Sequence, residues 1–185
     1  MIRKGTNDPT ARVESPSRRS QQRGKNGQVT VRPFNESDFE FIRNLATKTE
    51  GYTVCPPYIL WVLSRFQPQL CGIAEEIGRG SVGYLLALPV AIDCEAVFVW
   101  QLASTFRGRR LDAPAKLLKY LISGMRKHGI ETLFFTTIPN SKAERDVRAL
   151  AQRVFAASPI RGTPVPREAS HGEHEYRVQL PRERR

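Results

Sequence analysis

Three groups of residues in this 185-residue chain are of types that do chemistry. The first is a basic turn, Phe106–Asp112, which carries Arg107, Gly108, Arg109, Arg110 and Leu111 between an apolar strand and a helix. Guanidinium groups contact phosphates by side chain, often through two hydrogen bonds at once. The alternative role for this turn is a capped, solvated helix start. The second group is His171, Glu173 and Glu175, ahead of a last strand. These are candidates for a general base or for holding a cationic substrate, set against a simple solvated polar segment. The third is aromatic. Trp100 can wall an amine pocket by cation–π contact or serve as a core aromatic; Trp61 sits beside the inward face of its helix and is expected to pack.

Other reactive types are read as structural. Cys55, Cys71 and Cys94 lie at wide, motif-free spacing. An odd number so spaced argues for a reducing, cytoplasmic setting and against a disulfide frame or a zinc site. Cys55 has no deducible base beside it, so no nucleophilic role is assigned. His171 and His174 lack metal-ligand spacing with further donors, and no metal is expected.

The net charge of +11 sits mostly at the ends. Residues 1–27 hold seven basic and two acidic residues, residues 182–185 three and one, which leaves +4 for residues 28–181. Basic ends attract polyanions without reading them. With no aromatic-basic platform in the core, a solvated arm is expected rather than a nucleic-acid partner. Residues 1–27 have almost nothing to bury and are expected to be a disordered tail, with 181–185 a second basic tail. No secretory leader pattern is visible, and the longest apolar runs, such as Tyr84–Ile92, fall well short of the roughly 18 residues of a membrane span.

The elements that must position these residues follow from periodicity. Val29, Val31 and Phe34 predict a strand, and Asn35 or Ser37 caps a helix with Phe39, Ile42, Leu45 and Ala46 inward. Pro57 opens a second helix carrying Ile59, Val62, Leu63 and Phe66 on its inward face. Leu70–Glu75 and Ser81–Leu88 are strands around a Gly78–Gly80 turn. Ala96–Ala103 is apolar on both faces and belongs at the centre of a sheet. After the basic turn comes a helix with Leu117, Leu118, Leu121, Ile122 and Met125, closed by Gly129. Glu131–Ile138 is a buried strand, Asn140–Ser141 caps a helix with Val147, Leu150, Ala151, Val154 and Phe155 inward, and a Pro-rich loop precedes a last strand at Glu175–Leu180. The order is β-α-α-β-β-β-α-β-α-β: an α/β chain with a mixed sheet, antiparallel at first and parallel across the right-handed crossover in its middle.

This order, with the strand Phe98-Val99-Trp100-Gln101-Leu102-Ala103 before Arg107-Gly108-Arg109, the run Thr136-Thr137-Ile138-Pro139-Asn140 before a helix with Ala143 and Arg145, and the ending His171 to Val178, resembles the GNAT N-acetyltransferases. Within them it is most similar to the diaminobutyrate acetyltransferases of ectoine biosynthesis. The resemblance covers residues 28–180 and implies the GNAT fold, acetyl-CoA as co-substrate, a small primary amine as acceptor and a homodimer, with no metal and no membrane. It implies that Gln101, Leu102 and Ala103 line the thioester, that Leu102 and its neighbour offer backbone N–H groups to the developing oxyanion, and that Arg107–Asp112 meets the pyrophosphate at a helix N-terminus. Asn140 and Arg145 join this cofactor set. His171 and Glu173 become catalytic candidates; Thr53, Tyr58 and Trp100 become substrate contacts.

Three departures from the family pattern stand out. Arg110 and Asp112 occupy the places of the two loop glycines, and Thr53 the place of an acidic residue that would pair with a ligand ammonium. The next helix but one, residues 141–157, contains no Tyr to act as an acid. A GNAT-like domain with impaired catalysis and a binding or regulatory role is therefore the alternative.

Overall fold

The computed structural model describes residues 27–90, 95–105, 112–166 and 172–180. Strand β1 (Val29–Pro33) leads into a single 3-10 turn (Glu36–Asp38) capped by the Asn35 side chain, then helix α1 (Phe39–Thr47). Arg32 fastens this start: its guanidinium donates to both Asp38 oxygens, at 2.7 and 2.8 Å, and to Glu75 at 2.8 Å. Helix α2 (Pro57–Phe66) precedes the meander β2 (Gly72–Glu76), β3 (Gly80–Pro89) and β4 (Ala96–Ser104). Helix α3 (Asp112–Lys127) crosses to β5 (Thr132–Thr137), and α4 (Lys142–Phe155) to β6 (Ile160–Pro164) and β7 (His174–Gln179).

One seven-stranded sheet results, in the order β1-β2-β3-β4-β5-β7-β6. Among the described residues, only β4 and β5 pair in parallel. The α/β class and the mixed sheet are as the sequence predicts. Strand β6 is the exception: it lies in the segment read as a Pro-rich loop. All five of its residues are exposed, so no alternation marks it; it pairs with β7, and Arg161 adds a 3.2 Å bond to the Tyr176 hydroxyl.

The core runs through both faces of the sheet. The predicted inward residues of α3 are all buried, and Gly129, at φ +71°, supplies the left-handed residue that ends the helix. Ser141, not Asn140, caps α4, accepting from the Glu144 N–H at 3.1 Å. Helix α2 departs from expectation. It buries Leu60 and Leu63, while Ile59 and Phe66 are exposed. Trp61, expected to pack, is 39% exposed and joins Tyr58 and Phe66 in a surface aromatic row. The helix is short and commits only Leu60 and Leu63 to the core, so a residue next to the inward face is left at its rim.

Residues 1–26 and 181–185, expected as tails, lie outside the described residues, as do Cys94 and residues 106–111 and 167–171. No helix among the described residues is long and apolar enough to cross a membrane.

Candidate active site

The site begins with one extra residue in β4. Leu86 pairs with Gln101, but the next residue, Ala87, pairs with Val99, so Trp100 is a bulge. Cross-strand partners share a face. Val97 and Val99 therefore lie with Leu133 and Phe135, whereas Gln101 and Ala103 lie with Leu86 and Tyr84 on the opposite face. Without the bulge, Gln101 would share the face of Val99. Tyr176, opposite Phe135, reaches Glu144, so α4 covers the first face. Gln101 reaches the α1–α2 loop on the second.

The same residue marks where two strands part. Parallel pairing of β4 with β5 ends at Val99 and Phe135. Beyond it β4 continues to Ser104 along β3, and β5 continues to Thr137 along β7. A wedge opens between them, with the edge of β4 on one side. The Leu102 backbone faces it: its N–H donates to the Tyr52 hydroxyl at 3.3 Å, and its carbonyl accepts from that hydroxyl at 2.5 Å. Backbone groups at a strand edge aimed into a gap can pair with an amide or stabilise a developing oxyanion.

The sequence-derived candidates divide as follows. Gln101 is buried; its side-chain amide donates to the Thr53 carbonyl at 2.7 Å and accepts from the Tyr84 hydroxyl at 2.9 Å. Its side chain thus holds the loop. Thr53 enters through that carbonyl, with an exposed side chain. Leu102 lies at the wedge; Ala103 is buried opposite Tyr84. Trp100 is half-buried against the core where the wedge begins. Tyr58 is 69% exposed and stacks on Trp61, with centroids 6.0 Å apart, so its ring partner is another α2 residue rather than Trp100.

Asp112, the first residue of α3, turns toward α4 and receives a 2.8 Å bond from Arg153. Its carboxylate is partly neutralised there. Asn140 has φ +62°; its N–H donates to Glu144 at 2.6 Å and its carbonyl accepts from Arg145 at 3.0 Å. These two residues thus shape the β5–α4 turn, and the Arg145 side chain is exposed. Arg107, Gly108, Arg109, Arg110, Leu111 and His171 lie outside the described residues.

At the far side of the wedge, β7 runs beside β5, with His174 opposite Thr137 and Glu175 opposite Thr136. Alternation puts Glu173 and Glu175 on the face of the α1–α2 loop and His174 on the α4 face with Tyr176. Among the described residues, the buried His174 Nδ1 has no hydrogen-bond partner. A buried polar atom left unpaired is uncommon and marks a position that a ligand can complete. Sequence reasoning used His174 only to argue against a metal, and missed Tyr52 as a site residue. No residue-type signal singles either out; only the fold brings Tyr52 to the edge of β4 and His174 beside Thr137.

Burial pushes the Cys55 thiol up to about 11 and the Cys71 thiol up to about 12, so both stay protonated at neutral pH. No cluster of three or more His, Cys, Asp or Glu able to hold a metal occurs among the described residues. A shallow groove between α3 and α4, lined by Lys119, Arg126, Lys127 and Phe155 among others, is separate from the wedge.

No family model and no curated protein matches this sequence. Solved structures do. Diaminobutyrate acetyltransferase EctA from Paenibacillus lautus, solved with L-2,4-diaminobutyric acid and coenzyme A, superposes with a TM-score of 0.71 over 83% of this chain and 95% of that one, at 21% identity. Ard1 from Thermoplasma volcanium gives 0.67 over 83% and 99%, at 15% identity. A GNAT-family acetyltransferase from Bacillus cereus gives 0.62 over 84% and 100%, at 18% identity.

The fold is that of the GNAT acetyltransferases. At these identities the likeness carries the architecture and not the activity. Within the GNAT fold, the Trp100 bulge and the parting of β4 from β5 are this chain's own observed features, and they give the edge of β4 its free side.

Proposed function

We propose that the chain is an N-acetyltransferase, spanning residues 28–180, that moves an acetyl group from acetyl-CoA to a primary amine of a small molecule or amino acid. The observation that carries this is the wedge at Trp100, with the Leu102 N–H and carbonyl aimed into it. Acetyl-CoA would supply the activated acetyl thioester. The residues that fit it are the edge of β4 from Gln101 to Ala103, with Arg107, Arg109 and Arg110 for its phosphates.

The roles of the chain's own groups follow. The Leu102 N–H donates to the carbonyl oxygen as negative charge builds there. Glu173 and Glu175, on the face of the α1–α2 loop, hold the incoming ammonium, and Glu173 or His171 takes the proton it must lose before attack. Trp100 walls the amine where β4 and β5 part. Thr53 supplies no charge to the ammonium, so the β7 carboxylates carry that task. Diaminobutyrate or a similar diamine is the first acceptor to try.

The experiment is calorimetric titration with acetyl-CoA, followed by thiol release with a panel of amines led by diaminobutyrate. Binding at micromolar strength, about −8 kcal/mol, with amine-dependent CoA release is expected. A folded protein that binds acetyl-CoA but releases no CoA with any amine would favour the second reading, a binding or regulatory GNAT-like domain. Arg110 in a glycine position is the observation on that side.

A further inference from the structure

We propose that Tyr52 is the internal occupant of the donor groove: a ligand bearing an amide or thioester carbonyl binds β4 by displacing the Tyr52 hydroxyl from Leu102. This rests on the acetyltransferase reading of the wedge. A strand edge that has lost its neighbour needs partners for its N–H and C=O groups. Here one hydroxyl serves both, accepting from the Leu102 N–H and donating to the Leu102 carbonyl. It reproduces both halves of a neighbouring peptide. A ligand carbonyl that accepts from the same N–H must lie where the Tyr52 oxygen lies, and two acceptors cannot take one N–H at full strength. The long 3.3 Å leg is the one a ligand carbonyl would replace.

The contact also couples the two halves of the site. Tyr52 adjoins Thr53, whose carbonyl holds the Gln101 side chain on the other face of β4. The α1–α2 loop is thus fastened to two successive β4 residues. Displacing Tyr52 releases one fastening and keeps the other, so the loop swings at Thr53 while Cys55, fully buried, anchors its far end. Burial raises the Tyr52 phenol, which therefore stays a neutral donor through the physiological range.

Tyr52→Phe keeps the ring packed and removes only the hydroxyl. Three measurements on the full chain test the idea: thermal melting, hydrogen exchange at the Leu102 amide without ligand, and calorimetry with acetyl-CoA. The melt checks that the variant is folded. Exchange at Leu102 should accelerate while amides paired to β3 do not change, and acetyl-CoA should bind about two- to tenfold more tightly, the value of one competing hydrogen bond. Unchanged exchange at Leu102 would overturn the proposal, as would faster exchange with equal or weaker acetyl-CoA binding. Failure of both proteins to bind acetyl-CoA would remove the acetyltransferase reading and this inference together; binding by the wild type with no gain in the variant would remove this inference alone.

Discussion

The Tyr176 hydroxyl donates a 2.8 Å hydrogen bond to Glu144 Oε1, which ties the middle of β7 to the first turn of α4. The same carboxylate accepts from the Asn140 N–H and from Arg148, so one buried side chain sets the β5–α4 turn, the helix and the strand against each other. Tyr176 stacks flat on Phe135 at 5.3 Å, under the guanidinium groups of Arg148 and Arg161. The wedge wall beyond Phe135 is therefore rigid on its β5 side.

A pH dependence follows from this network. The Asn140 N–H, the Tyr176 hydroxyl and Arg148 hold the Glu144 carboxyl at about 2, below its ordinary 4.5. A carboxyl lowered on folding stabilises fully above its unfolded value, and that stability is lost as pH falls toward the folded one. Melting temperature should thus drop between about pH 4.5 and 2 more steeply in the wild type than in Glu144→Gln. Parallel curves for the two proteins would count against it.

Gln101 is a structural test of the loop attachment. Gln101→Leu leaves the Tyr84 hydroxyl, in a fully buried residue, without its acceptor. The expected cost is about 1–3 kcal/mol in urea melts. Adding Tyr84→Phe should recover part of it, because the two residues are coupled. Purely additive losses would show that the bond contributes little.

Gly124 lies inside α3, where alanine would ordinarily favour the helix by about 1 kcal/mol. Here a β-carbon would run into the Gln69 carbonyl in the loop before β2. Gly124→Ala is therefore expected to destabilise by about 1–3 kcal/mol in spite of its propensity. A stabilised variant would mean that the helix and loop separate readily.

His174 carries a buried, unpaired Nδ1 at the end of β7. His174→Leu removes that atom and should raise stability by about 1 kcal/mol. Thermal unfolding without ligand checks this; a loss of stability would show that the ring makes packing contacts worth more than the unpaired atom costs.

Most of the element order was legible in the sequence because burial leaves a periodic trace. Leu117, Leu118, Leu121, Ile122 and Met125 repeat at helical spacing and are buried in α3, and Ala96–Ala103, apolar on both faces, is the central β4. The motif FVWQLA marked the strand that carries the site. What failed did so for lack of such a trace. Strand β6 is exposed at every residue and α2 buries only Leu60 and Leu63, so β6 read as loop and Trp61 as packed.

The sequence by itself determined the fold class and the central strand, because each depends on local pattern, and it nominated residues of types that can bind phosphate or an amine. Tertiary structure alone decided which candidates among the described residues meet. A bulge at Trp100 turns Gln101 to the other face, and a register that ends at Val99 opens the wedge. A loop tyrosine 50 residues away closes the Leu102 edge. Pairing register and edge contacts arise between segments distant in the chain, and no local pattern of side chains encodes them.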